Sequence, residues 1–177
     1  MKDFEFSIIA SGLDPSAEDF EARFYDAGCD DATVSFQKGH IIVDFARESE
    51  AIEDAITSAL ECVTKAGAHA DRIEPDPLVN LSEIASRAGL TRAALTQYAK
   101  GQRGKGDFPA PVVKITSDSS LWDWSTVARW LFRYGKASRD LTIEAEAVKQ
   151  ANEAIESADP DIGTRMREHM REYRAAI

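Results

Sequence analysis

The chain has 177 residues and a formal charge of −10, from 21 Lys/Arg and 31 Asp/Glu. At 44% hydrophobic and 29% charged it can bury a core, which excludes a disordered or collagenous chain. The longest apolar candidate near the N-terminus, Phe6 to Ala10, is strand-sized and far short of the roughly 18 residues a membrane helix needs. A soluble protein with no membrane partner is expected, and the absence of a secretory pattern at Met1–Phe6 points to the cytoplasm. Cys29 and Cys62 are too few and too far apart for a disulfide framework or a Cys-x-x-Cys metal site, and read as small packing residues.

The bulk charge hides an asymmetry. Residues 1–79 hold 6 Lys/Arg against 18 Asp/Glu, net −12; residues 80–139 hold 10 against 4, net +6; residues 140–177 hold 5 against 9, net −4. The basic block suits phosphate, and the acidic blocks suit other work. The punctuation divides the chain into an acidic domain at 1–75, a central domain at 78–137 and C-terminal helices at 140–177.

In the first block Phe4, Phe6 and Ile8 alternate with Glu5 and Ser7, the period of a half-buried strand. After the turn Asp14-Pro15-Ser16, Phe20, Phe24 and Tyr25 recur at helical spacing until Gly28. Thr33–Gln37 and His40–Phe45 flank Lys38-Gly39, a two-residue hairpin loop. That loop sets Phe36 opposite Ile41, Val34 opposite Val43 and Ala32 opposite Phe45, so one face is wholly apolar. Ser49 is the expected start of a second helix carrying Ile52, Ile56, Leu60 and Val63, ended by Gly67, and a weak strand spans His69–Glu74. The order βαββαβ implies an α+β, ferredoxin-like domain. Its open face offers Glu5, Ser7, Thr33, Ser35, Gln37, His40 and Asp44 instead of stacking aromatics, so RNA reading is not expected there. A protein partner, self-association or a small ligand remain.

The run Val79–Tyr98 has the spacing of a helix-turn-helix. Ala85 is small where a second helix crosses, Gly89 can take the left-handed turn, and Ile84, Ala88, Leu90, Leu95 and Tyr98 form a shared core. Thr91 caps the second helix and leaves Arg92, Ala93, Thr96, Gln97 and Lys100 on its outer face, where side chains read base edges. Gly101–Asp107 is a basic, flexible loop carrying Arg103 and Lys105. Phe108-Pro109-Ala110-Pro111 then leads to an extended segment, Val112–Ile115, with Ser120–Trp124 returning as a second strand and Ser125 opening a helix. Trp122, Trp124 and Trp130 are read as packing residues, Trp124 being the best candidate to stack on a base.

This succession, over about residues 78–135, resembles the winged helix-turn-helix domain of the MerR/excisionase (AlpA-like) superfamily. The segment Gly101–Val112, of the form Gly-x-Arg-Gly-x-Gly-x-Phe-Pro-Ala-Pro-Val, is similar to uncharacterised bacterial DNA-binding proteins. The resemblance implies that Arg92, Thr96 and Gln97 face the major groove while Arg103 and Lys105 reach phosphates or the minor groove. The tail lacks the cysteine cluster of MerR sensors, which argues against metal sensing.

Rival chemistry is thin. Gly101–Gly106 fails the P-loop pattern because Lys105 is followed by Gly106. Asp30 and Asp31 sit at a turn where Asp bonds local backbone, and His40, His69 and His169 lie in different elements. Neither a catalytic residue, a metal nor a cofactor is expected, and the protein is not read as an enzyme. The tail divides at Asp159-Pro160-Asp161 into one helix with Leu141, Ala145, Val148, Ala151, Asn152 and Ile155 on a stripe and another with Ile162, Met166, Met170 and Tyr173. Such stripes either cover their own domain or join a homodimer. The expectation is a sequence-specific binder of double-stranded DNA, a transcriptional regulator whose acidic domain takes a partner or effector. The alternative is an antitoxin-like interaction module that represses its own gene.

Overall fold

A computed structural model describes all of residues 1–177, an α+β chain with seven helices, a four-stranded antiparallel sheet and a two-stranded sheet. It divides into two compact units, residues 1–75 with 147–175 and residues 76–146 with the last two residues. None of its helices is long and apolar enough to cross a membrane.

In the first unit β1 (Lys2–Ser11), α1 (Phe20–Asp26), β2 (Ala32–Gln37), β3 (His40–Ser49), α2 (Ile52–Lys65) and β4 (His69–Glu74) follow in order, with strands arranged β2-β3-β1-β4. The hairpin register is the expected one: Phe36 faces Ile41, Val34 faces Val43 and Ala32 faces Phe45. Lys38 and Gly39 both take positive φ, at 51° and 81°, as the two-residue turn requires. Phe4, Phe6, Ile8 and Ala10 meet Arg47, Phe45, Val43 and Ile41 across β1–β3 on the buried face. Because β1 supplies partners as far as Ser49, β3 extends through that residue, and α2 starts at Ile52 after Ala51. Ser49 therefore ends a strand where it was expected to start a helix.

Cys29 and Cys62, expected as separate packing residues, form a disulfide, their Cα atoms 5.9 Å apart as such a bond needs. Beside it Arg47, almost fully buried, donates to both carboxylate oxygens of Asp31 at 2.8 and 2.7 Å, to the Gly28 carbonyl at 2.9 Å and to the Ser58 hydroxyl at 3.1 Å. Asp31 is thus an ion-pair partner as well as a turn residue.

The C-terminal helices belong to these two units. Helix α6 (Arg139–Glu156) begins in the second unit and ends in the first, and α7 (Ile162–Ala176) packs in the first by burying Met166, Met170 and Tyr173. Arg174 grips the buried carboxylate of Glu53 through two bonds of 2.6 Å, and Arg167 pairs with Asp54 at 2.7 Å. The Asn152 amide accepts from the Ile73 N–H and donates to the Ile73 carbonyl, both at 2.9 Å, which occupies the outward groups of edge strand β4 there.

In the second unit β5 (Leu78–Val79) leads to α3 (Leu81–Ala88), α4 (Arg92–Ala99), β6 (Trp122–Asp123) and α5 (Trp124–Arg133). Val79, Ile84, Leu95, Tyr98, the three tryptophans, Val127 and Leu131 make its core. The expected wing is reduced: Val113 bridges Leu121 at a single position, while Trp122–Asp123 pairs instead with Leu78–Val79. Asp123, not Ser125, caps α5 by accepting from the Thr126 N–H at 2.8 Å. Trp124 is buried, with the Arg87 guanidinium 5.4 Å from its ring centroid, so it is not available to stack on a base.

Candidate nucleic-acid interface

The interface residues rest on two helix caps and one glycine. Asn80 and Glu83 close a capping box at the start of α3, the Asn80 side chain accepting from Glu83 N–H at 2.9 Å and the Glu83 carboxylate accepting from Asn80 N–H at 2.7 Å. Gly89 ends α3 at φ 63°, ψ 31°, a left-handed residue that turns the chain within two positions. Thr91 then caps α4 by accepting from the Ala94 N–H at 3.1 Å.

This start fixes which residues of α4 face inward. Ala94, Leu95 and Tyr98 are buried against the core, whereas Thr91, Arg92, Ala93, Gln97 and Lys100 are exposed. Thr96 is half-buried, and its hydroxyl donates back to the Arg92 carbonyl at 3.0 Å, so its side chain is partly committed to its own helix. Arg92 reaches the Ser82 hydroxyl on α3, which holds its guanidinium at the junction of the two helices.

The loop after α4 is tied down at several points, contrary to the expected flexible segment. The Arg103 guanidinium lies 5.2 Å from the Tyr98 ring centroid, and Lys136 approaches the same ring at 6.0 Å. Gly104, at φ 77°, lies so close to that ring that a Cβ would sit 3.2 Å from it. Asp107 accepts from the Trp130 indole at 3.2 Å and from the Tyr134 hydroxyl. The Tyr134 hydroxyl holds the Asp107 carboxyl below the usual carboxylate range, and Asp107 in turn raises the Tyr134 phenol. Trp122 donates to the Pro109 carbonyl at 2.9 Å, and Phe108 packs edge-on to Trp130 at 5.0 Å.

Arg103 and Lys105 thus leave a loop whose ends are anchored, both side chains exposed. Arg103 lies over the Tyr98 ring, and the Lys105 charge helps to lower the Asp107 carboxyl, which two donors also engage. The Asn80-x-x-Glu83 box is a helix-start signature in the sequence; the Asp107 anchor has no local signature, since its partners lie 23 and 27 residues away. The three histidines do not converge: His40 begins β3, His69 pairs with Asp71 at 2.8 Å and His169 stacks on Tyr173. Comparison with protein-family models, with curated proteins and with solved structures finds no match to the chain.

Proposed function

We propose that the protein binds double-stranded DNA in a sequence-specific manner and acts as a transcriptional regulator. The observation that carries this reading is the α3–Gly89–α4 unit, which buries Ala94, Leu95 and Tyr98 while presenting Arg92, Ala93, Gln97 and Lys100 along one exposed side of a capped helix. Arg bonds guanine in two places and Gln bonds adenine likewise, so Arg92 and Gln97 are the readers. Lys100, Arg103 and Lys105 supply the charge that phosphates need, and Thr91 places the helix N-terminus toward the backbone. A winged-helix kinship to the MerR/excisionase (AlpA-like) group is supported by the element order from Asn80 to Tyr134, though the wing itself is short. The strand order β2-β3-β1-β4 with helices between supports the ferredoxin-like reading of the first unit.

The test is selection of bound duplexes from a random pool with the full-length protein, followed by titration of the best site at several salt concentrations. Affinity should fall steeply as salt rises. Arg92→Ala or Gln97→Ala should cut discrimination against a single-base variant by about 1–3 kcal/mol. Lys105→Ala should weaken all sequences alike and lower the salt slope by about one. Failure to enrich any duplex, or a sequence preference that follows Lys105 and ignores α4, would overturn the proposal.

A further inference from the structure

The free edge of the first unit's sheet is β2, and its exposed side has the features of a strand-docking site. Asp31 accepts from the Ala46 N–H at 3.3 Å, which fixes the alternation of the ladder. Thr33, Ser35 and Gln37 then exchange bonds with β3, while Val34 and Phe36 turn their N–H and C=O groups outward. Natural sheets guard such edges with lysine, proline or a bulge. Ala-Thr-Val-Ser-Phe-Gln has none of these, and its register to β3 is unbroken.

Beside this edge runs a groove of about 540 Å³ between α1 and β2, with Ala22, Phe24, Tyr25, Ala32 and Val34 among its lining residues. Tyr25 on α1 and Phe36 on β2 are 67% and 48% exposed, which leaves two aromatic surfaces in solvent. Glu21 and Asp26 also line the groove, and Asp44 stands on the other face of the sheet opposite Thr33. The unit as a whole carries 11 Lys/Arg against 23 Asp/Glu, net −12.

We propose that β2 takes up an extended, basic segment of a partner protein as an additional antiparallel strand. Main-chain bonds to Val34 and Phe36 hold the segment, its alternate apolar side chains enter the groove beside Tyr25, and its basic side chains fall on the opposite face, the one that carries Asp44. The charge selects this occupant over a second copy, because pairing β2 with β2 would bring two units of −12 together.

The test uses the full chain, isotopically labelled, and a peptide of repeating Lys-Val pairs about as long as β2, with a Glu-Val peptide as control. The Lys-Val peptide should shift amide signals in Ala32–Gln37 and α1 and slow hydrogen exchange at the Val34 and Phe36 amides, and the Glu-Val peptide should do neither. Asp44→Lys, on the exposed surface of the face that meets the lysines, should weaken Lys-Val binding several-fold while leaving the spectrum folded. Shifts centred on another face, equal response to both peptides, or Val34 and Phe36 amides already protected in a dimer without peptide would overturn the proposal. DNA titration of the same charge-reversed variant keeps this result separable from the duplex reading.

Discussion

Arginine does opposite work in the two units. In the first, Arg47, Arg167 and Arg174 are committed to Asp31, Asp54 and Glu53. In the second, Arg92 and Arg103 meet a serine hydroxyl and a tyrosine ring and keep their charge available. A count of basic residues would rank the units nearly equal, 11 against 10. What separates these five arginines is whether a carboxylate holds the guanidinium, and the 23 Asp/Glu of the first unit add to the contrast.

The largest expected effect comes from removing an aromatic contact of the second unit. Trp130 packs against Tyr98, Phe108 and Tyr134 at 5.1, 5.0 and 4.5 Å and donates to Asp107. Trp130→Ala should cost about 4 kcal/mol in a denaturant titration, with little change between low and high salt. Next in size, Arg47→Met should cost about 3 kcal/mol because it strands the Asp31 carboxylate, whereas Arg92→Met should stay within about 0.5 kcal/mol in stability while cutting duplex discrimination by about 1–3 kcal/mol. A stability loss at Arg92 equal to that at Arg47 would erase the distinction.

Gly163 offers a smaller check on how α7 seats in the first unit. A Cβ there would lie 2.9 Å from the Thr57 methyl, and Thr57 is itself buried and donates to the Glu53 carbonyl at 2.7 Å. Ala would gain about 1 kcal/mol of helix propensity, yet overpacking should outweigh it and leave a net loss of about 1 kcal/mol. A stabilised variant on thermal melting would mean that the contact yields.

The smallest effect is local and pH-dependent. Since the Asp107 carboxyl is held below its ordinary 3.8, its contribution is present above that value and lost as pH falls through the depressed one. The Tyr134 phenol, raised from 10.0, keeps its proton beyond the usual range, so the anchor holds between the two limits. Tryptophan fluorescence should change on acidification below 3.8, and Asp107→Asn should remove that transition.

What could be read from the sequence was local. The Lys38-Gly39 loop and period-two alternation are enough to set the hairpin register residue by residue, and Gly89 with Thr91 defines the outer face of α4. What could not be read depends on partners far along the chain. The length of β3 is set by β1, Arg47 finds Asp31 16 residues away, Cys29 meets Cys62 across 33, and Trp122–Asp123 chooses Leu78–Val79 over the nearer wing strand. For the candidate site, the helix face was legible and the tethering of the loop by Asp107 was not.

The two borders of the larger sheet are not equivalent. At β4 a single asparagine amide mimics a neighbouring strand, bonding Ile73 on both its donor and its acceptor. β2 has no such plug. A sheet with two sticky ends can propagate into a fibre, whereas one with a single sticky end is univalent: whatever pairs with β2 terminates growth. Asn152 therefore acts as a chain stopper, letting an uncharged edge remain exposed without making the protein a monomer for polymerisation.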